Sequence, residues 1–483
     1  MAVPVVIIKM SAQQFFSTRM RFGITYSHTD RLKILEPYIA SVATGLARGV
    51  PLSEQIQTSA EIYPDAAAYF TIDSKTAEES FALKDEFTYD DWLLSSLIIS
   101  LANRSYSISL KEYSSDSLTR LHSFMTVMSG ASAGGSHNLD GETQRGLLSA
   151  FAKLEMLLPK LHRPFRIATA RHPAVYRLQH ACLLYRSATT GVLVDPHLQS
   201  LYSPVKGEDI VRADLNGKVD AIIISHAHFD HLWLSTLLMF SKDTLIIVPK
   251  VPRSTMICMD MKKVLDDLGF TRVFAYEWFS GPIHVGDMEI WVMPFFGEQP
   301  LRYEPTRNPR IRNWGNTYII KCDGYSSWFL IDSGADYMGS MVEVAESVRE
   351  KHGQIDLVLS NLRDFCLSSP TYINGGLNWL ALTPHQMKRF DSMKSHCITL
   401  GTSNVASICK AVSARYYLPY AHWWGELGRR ANSSIDTPGQ NEEDLVRRLK
   451  DDLLRIRCST RVVDWKIGDG FDGSDEDSVM SLA

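Results

Sequence analysis

A short apolar run, Val219-Asp220-Ala221-Ile222-Ile223-Ile224-Ser225, leads directly into His226-Ala227-His228-Phe229-Asp230-His231. The run reads as a strand, and side chains two apart on extended backbone point the same way, so His226 and His228 can take one metal ion. Asp230 and His231 fall one turn further on, where a helical pattern (231–240) begins, and can take a second ion beside the first. Imidazole and carboxylate suit zinc, iron or manganese. Four such side chains within six residues favour a metal site over a pair of packed histidines at a strand end.

The elements that would position this motif are legible around it. Residues 179–196 hold two strand-like runs about a small-residue turn, a hairpin signature. Further apolar strands are expected at 243–249, 288–294, 316–322, 326–332 and 355–361. Helical patterns at 231–240, 255–269 and 339–353 lie between several of them. Hairpins combined with alternating strand and helix imply two mixed sheets with helices outside, a layered α/β sandwich. Residues 1–163 read differently. A β-rich start is followed by apolar residues at three- and four-residue spacing, predicting helices over 32–47, 90–105 and 145–158, with a polar loop at 129–144. The chain therefore divides into 1–163, a mixed α+β domain, 164–466, the metal-bearing domain, and 467–483, an acidic Gly/Ser-rich tail expected to be disordered.

Composition limits the function classes. The chain has 483 residues, 45% hydrophobic and 22% charged, as a globular protein with an ample core should. Fifty Lys and Arg against 54 Asp and Glu give a net charge of −4, which makes no electrostatic case for nucleic acid or an anionic membrane. The seven cysteines are scattered, with no CxxC pair, as reduced thiols would be. The first residues do not read as a signal peptide, and the apolar stretch 93–102 is too short to span a bilayer. A soluble cytoplasmic protein is expected.

The His-x-His-x-Asp-His motif after an apolar strand resembles the metallo-β-lactamase superfamily, over about residues 164–466. The resemblance implies an αββα sandwich. Gln179-His180-Ala181-Cys182 followed by Leu193-Val194-Asp195-Pro196 resembles the opening hairpin of the branch that includes N-acyl-phosphatidylethanolamine phospholipase D. Asp195 there either supports a ligand or forms a turn. Asp332, ending Phe329-Leu330-Ile331-Asp332, matches the aspartate that bridges two metals, and His422 matches the last histidine ligand. The family's third histidine is missing. Its place reads Met293-Pro294-Phe295-Phe296-Gly297-Glu298, which makes Glu298 the candidate ligand. A carboxylate in place of an imidazole makes the site harder and lowers the charge at the metals, which suits a redox-active iron pair better than zinc.

With that substitution the chain is similar to the diiron β-hydroxylases of chloramphenicol biosynthesis, the CmlA type. The resemblance implies two Fe ions, His226, His228 and Glu298 holding one, Asp230, His231 and His422 the other, with Asp332 between them, and O2 as co-substrate. It implies β-hydroxylation of an amino acid tethered as a thioester to a nonribosomal peptide synthetase carrier protein. The partner would be an aminoacyl-carrier protein or a small amino-acid-derived substrate, and the N-terminal domain would serve dimer contacts and carrier docking. The electron donor is unspecified. The alternative is a dinuclear zinc metallohydrolase acting on a phosphodiester, lactone or thioester. Among the remaining histidines, His385 is expected in a first helical turn, His197 could reach the cleft, and His180 is either a support of the metal site or a packed core residue. The Arg302–Arg312 loop reads as solvated, or as a lip for a phosphopantetheine arm or an acidic carrier protein.

Overall fold

The computed structural model describes residues 20–71, 82–101, 104–109, 173–197, 215, 219–365, 380–421, 442–473 and 479–480, apart from isolated positions within these ranges. The helix at 145–158, the loop at 129–144 and the boundary at 163 lie outside the described residues.

Two sheets carry the metal-bearing part. The first runs Val273–Tyr276, Leu245–Pro249, Ala221–Ile223, Gly191–Val194, Leu183–Arg186, Ala174–Arg177, Gly470–Phe471, Val479–Met480. The second runs Ile283–Val285, Met288–Pro294, Asn316–Cys322, Tyr325–Ile331, Leu357–Ser360, Tyr416–Pro419, Arg461–Val462. The expected hairpin forms, with Leu183 paired to Val194 and Arg186 to Gly191. Ala221–Ile223 is parallel to both its neighbours, and is buried throughout, as a strand covered on both faces must be.

Alternation along these strands divides the core into three apolar layers. Ala221 and Ile223 face inward to meet Ile290, Tyr318, Phe329 and Leu359 of the second sheet. Ile222 and Ile224 face outward, onto Met261, Val264 and Leu265 of the helix Met261–Asp267. Behind the second sheet, Trp328, Leu330 and Val358 pack on the helices Met341–His352, Gly401–Ala411 and Glu442–Arg455. The order is helix, sheet, sheet, helix, the αββα sandwich expected. Met341–His352 starts where Ser340 and Glu343 form a reciprocal capping box and stops at Gly353. Glu442–Arg455 buries Leu445, Leu449 and Leu453, four residues apart, and has three acidic residues in its first turn.

Three expectations are corrected. Residues 94–101 are a strand, not part of a helix: Leu94–Leu101 is the centre of a three-stranded antiparallel sheet between Met20–Tyr26 and Arg104–Ser109. Leu94, Leu97, Ile98 and Leu101 have helical spacing, but pairing on both edges decides the outcome. Secondly, the tail (467–483) is not disordered throughout. Gly470–Phe471 adds to the first sheet beside Ala174–Arg177, and Val479–Met480 pairs with it. Phe471 is fully buried against Tyr416, which outweighs the polar composition around it. Thirdly, the helical pattern 231–240 does not begin its helix at His231: among the described residues the helix is Leu234–Leu237.

The N-terminal helix Ser27–Ala47 forms over the expected 32–47. Its Leu35, Tyr38, Ile39 and Val42 share one apolar cluster with Met256, Ile257, Leu301, Ile311 and Ile398. Trp92 Nε1 donates to the Thr255 carbonyl at 2.7 Å, and the Arg253 guanidinium lies 3.5 Å over the Tyr89 ring. No helix among the described residues is long and apolar enough to cross a membrane.

Candidate metal centre

The motif sits at the carboxyl end of Ala221–Ile223, where the loops of an α/β sheet gather a site. His226 is tied by an isolated bridge to Gly315, the residue before the strand Asn316–Cys322 of the second sheet, which seats the motif between the sheets. Beyond it the chain turns tightly, the amides of His231 and Leu232 both donating to the His228 carbonyl. That turn brings Asp230 and His231 back beside His226.

Two donor groups result. His226 Nε2, His228 Nδ1 and Glu298 Oε2 converge: Glu298 Oε2 lies 3.2 Å from the first nitrogen and 3.0 Å from the second, which are themselves 3.0 Å apart. Beside them His231 Nε2 lies 2.8 Å from Asp332 Oδ2 and 3.7 Å from Asp230 Oδ2. Despite these distances neither Glu298 Oε2 nor His231 Nε2 has a partner in hydrogen-bonding geometry. Buried donor atoms gathered this closely, two of them with no hydrogen-bond partner, are what ligands around a cation require. Clusters that could hold an ion are therefore His226, His228 and Glu298, then His226, His231 and Asp332, and finally His180, Asp230 and His231.

The far side of each imidazole is fixed. Asp195 Oδ1 accepts the Ser225 amide at 2.7 Å, and Oδ2 accepts the Ser225 hydroxyl at 2.6 Å and faces His231 Nδ1 at 2.8 Å. Ser225 Oγ meets His226 Nδ1 at 2.9 Å, and Asn313 Nδ2 meets His228 Nε2 at 3.3 Å. Gln299 holds Asn313 in turn, accepting its amide at 2.9 Å and donating to its carbonyl at 2.9 Å. The Asn361 amide donates to Asp332 Oδ1 at 2.6 Å, leaving Oδ2 toward His231. Such outer contacts choose the tautomer and orient each donor atom.

Glu298 is presented by a strained loop. Gly297 has φ +97° and Glu298 φ +48°. A Cβ on residue 297 would stand 2.4 Å from the Ile398 carbonyl oxygen and 2.6 Å from the Gly334 nitrogen, so only glycine fits. The Glu298 amide donates to Ile398 O at 3.0 Å and Gly334 N to Phe296 O at 2.6 Å, binding the loop to the one that carries Asp332. Asp336 Oδ2 accepts the Gly297 amide at 3.0 Å and the buried Arg312 guanidinium at 2.8 Å.

Charge completes the picture. Burial pushes the Glu298 carboxyl up, but His228 and His226 more than reverse this and hold it at about 2. Asp230 is held well below the carboxylate range, burial being outweighed by His231 and His180. Burial lowers His231, yet Asp230, Asp195 and Asp332 raise it well above its ordinary value. His226 is lowered, by burial and then by His231 and His228. Ionised carboxylates gathered out of water demand compensating positive charge, which metal ions would supply.

Of the residues expected in the site, His226, His228, Asp230, His231, Glu298 and Asp332 are brought together. His422 lies outside the described residues. Asp195 buttresses ligands, with φ +41°. His385 is exposed in the first turn of the helix Pro384–Met393, away from the cluster. His197 is buried against Trp233, ring centres 4.7 Å apart, and burial lowers it to about 3. The Arg302–Arg312 loop is largely anchored: Arg307 donates to Leu83 O at 2.6 Å and to Thr88, Arg302 to Cys397 O at 2.9 Å, and Arg312 to Asp336. Ser225, Asn313, Gln299 and Asn361 went unremarked in the sequence, where each is an ordinary polar residue.

Residues 175–256 match the family model described as the metallo-beta-lactamase superfamily, and the chain has that fold. Within it, the chain is similar over 93% of its length, and 98% of the other's, to the crystal structure of CmlA, a diiron beta-hydroxylase from Streptomyces venezuelae. The TM-score is 0.56 at 14% identity, a likeness of fold that includes the N-terminal part. In sequence, 162 residues are 29% identical to the 4-amino-L-phenylalanyl-[CmlP-peptidyl-carrier-protein] 3-hydroxylase of Streptomyces venezuelae. That match spans 33% of this chain and 30% of the relative. Over 178 residues the chain is also 29% identical to UPF0173 protein PF0020 of Pyrococcus furiosus, covering 74% of it.

Proposed function

We propose that the chain is a non-haem diiron monooxygenase of natural-product biosynthesis that hydroxylates the β-carbon of an amino acid held as a thioester on a carrier protein. The observation that carries this reading is Glu298. Its carboxylate meets His226 and His228 at 3.2 and 3.0 Å, where a zinc hydrolase of this fold would place a third imidazole. The carrier-bound substrate of the similar 3-hydroxylase supports the substrate class.

In this reading His226, His228 and Glu298 hold one iron, Asp230, His231 and His422 the other, and Asp332 lies between them. When bound, the iron pair would supply the electrons that activate O2. The protein's own work is to hold that pair. Asp195 and Ser225 fix His226 and His231, Asn313 fixes His228, and Asn361 turns Asp332 inward. Exchanging an imidazole for Glu298 removes one unit of positive charge from the metal environment, which favours the oxidised irons. Burial of these donors in a water-poor pocket magnifies that effect. The partners implied are an aminoacyl-carrier protein, a reductant and a second copy of the chain, and the compartment implied is the cytoplasm.

The reading is tested by metal analysis of protein from cells supplied with iron and zinc, followed by O2 uptake with carrier-loaded amino acids and a chemical reductant that supplies two electrons per turnover. About two irons per chain, with one oxygen atom gained by the aminoacyl thioester, is the expected result. About two zincs, no O2 uptake and cleavage of an ester or phosphodiester would replace it with the hydrolase reading.

A further inference from the structure

The second metal position is faced by more donors than the sequence motif supplies. We propose that His180 is itself a ligand of the second metal, binding through Nε2 beside Asp230 and His231. This rests on the dinuclear reading above and adds a ligand to it.

His180 Nε2 lies 3.1 Å from Asp230 Oδ2, which is 3.7 Å from His231 Nε2, and the three donor atoms all lie within 4.8 Å of one another. Two donors each about 2.1 Å from one ion stand about 3.0–3.4 Å apart at octahedral or tetrahedral angles, and further at wider ones. The two separations from Asp230 Oδ2, 3.1 and 3.7 Å, fit a shared ion.

The direction of approach distinguishes a ligand from an orienting neighbour. Every orienting group in this site contacts a donor residue on its far atom. Asn361 takes Asp332 by Oδ1 while Oδ2 faces His231, and Asp195 takes His231 by Nδ1 while Nε2 faces the centre. His180 Nε2 instead lies in hydrogen-bonding geometry with Asp230 Oδ2 at 3.1 Å, the oxygen that also faces His231. It stands on the metal side of the carboxylate, as a fellow ligand does.

The backbone agrees. His180 has φ +50°, a left-handed conformation that costs a non-glycine residue strain and persists where surrounding structure imposes it. Its carbonyl accepts the Ala421 amide at 3.2 Å, one residue before His422, so the turn carrying His180 is drawn to the strand end expected to bring in the last histidine. The side chain is only 4% exposed, and the His197 ring stands edge-on to it at 6.1 Å. The second ion would thus be held by His180, Asp230 and His231 with Asp332, a set of two imidazoles and two carboxylates even before His422 is counted.

The test is titration of the metal-free full chain with Co(II), read by visible absorption and by elemental analysis after gel filtration. Wild type, His180→Asn and His180→Gln are compared. Asparagine tolerates the left-handed backbone but is too short to reach the ion, whereas glutamine keeps an amide able to donate to Asp230. The expected result is one tight Co(II) in both variants, at His226, His228 and Glu298, with the second weakened at least tenfold. The retained first equivalent shows that each variant is folded. Two tight equivalents in His180→Gln, with loss only in His180→Asn, would make His180 an orienting donor and overturn ligation. Two tight equivalents in both would remove it from the site. A wild-type chain binding fewer than two would instead overturn the dinuclear reading itself.

Discussion

At the residue scale the centre is a set of atoms whose roles are separated by which side of each ring or carboxylate they touch. Asp195 joins both donor groups through Ser225, His226 and His231. Replacing it with asparagine keeps the size but removes the charge and the pairing at His231 Nδ1. Metal affinity should fall about 10–100-fold, measured by competition with a chelator. Glu298→His should raise the share of zinc bound on purification and reduce O2-dependent turnover at least tenfold, or about 1.4 kcal/mol of barrier. Undiminished turnover would remove Glu298 from the proposed iron ligands. The motif was legible because its four donors are consecutive or nearly so, and the spacing alone states what they share. Glu298 was legible only by its place after a strand and by an absence, the missing histidine. Nothing local marks Ser225, Asn313 or Asn361. Their role arises when Asn313, 85 positions from His228, and Asn361, 29 from Asp332, are folded against them.

At the scale of elements, two loops and one turn hold the sheets in register around the donor clusters. Gly297 sits where its backbone meets Ile398 O and Gly334 N. Gly297→Ala should destabilise the fold by about 1–3 kcal/mol and weaken metal binding at the Glu298 position, seen as a lower denaturation midpoint and a lost metal equivalent. Opposite the site, Asp287 accepts from Ser187 Oγ at 2.6 Å and Thr189 Oγ1 at 2.8 Å, clamping the first hairpin to the second sheet. The hydroxyls of Ser187 and Thr190 bring its carboxyl down to about 2. Because the folded value is depressed, the stabilisation is complete above the unfolded value and is lost as pH falls toward 2. Asp287→Asn should therefore lower Tm slightly at pH 7, and the difference should shrink as the solution is acidified below about pH 4. The sandwich strands were legible because buried parallel strands read as unbroken apolar runs. Leu94–Leu101 was not, since its leucines fit a helix equally well and only pairing with Met20–Tyr26 and Arg104–Ser109 decides it.

At the scale of the whole molecule, the N-terminal part and the metal-bearing part share a core. Leu35, Tyr38 and Ile39 cover Leu301, Ile311 and Ile398, the residues that flank and anchor the Glu298 loop. A chain begun at residue 173 would expose that surface, and should express as aggregates or with a much-reduced metal content. A soluble fragment with two metals would show that the covering is dispensable. Stripping metal from the full chain should lower its Tm, since buried like charges lose their compensation and ligand binding ceases to favour the native state. The sequence did show a change of texture between these parts. It could not show that they share one apolar cluster, because the residues that meet are more than two hundred positions apart.

The anchor of Glu298 on Ile398 also has a consequence for the order in which this protein can be made. A ribosome delivers Glu298 one hundred residues before the carbonyl that fixes its amide, an interval of about 5–20 s at ordinary elongation rates. The His226 motif has by then emerged, but the carboxylate that completes its cluster has no fixed place. Metal capture during synthesis would therefore meet two histidines without their third partner, a pair that takes almost any divalent ion. If Glu298 is a ligand as proposed, choice of metal would wait until Ile398 has left the ribosome and closed the loop, and the cell's free-metal pools at release, more than those at initiation, would decide what the finished site contains.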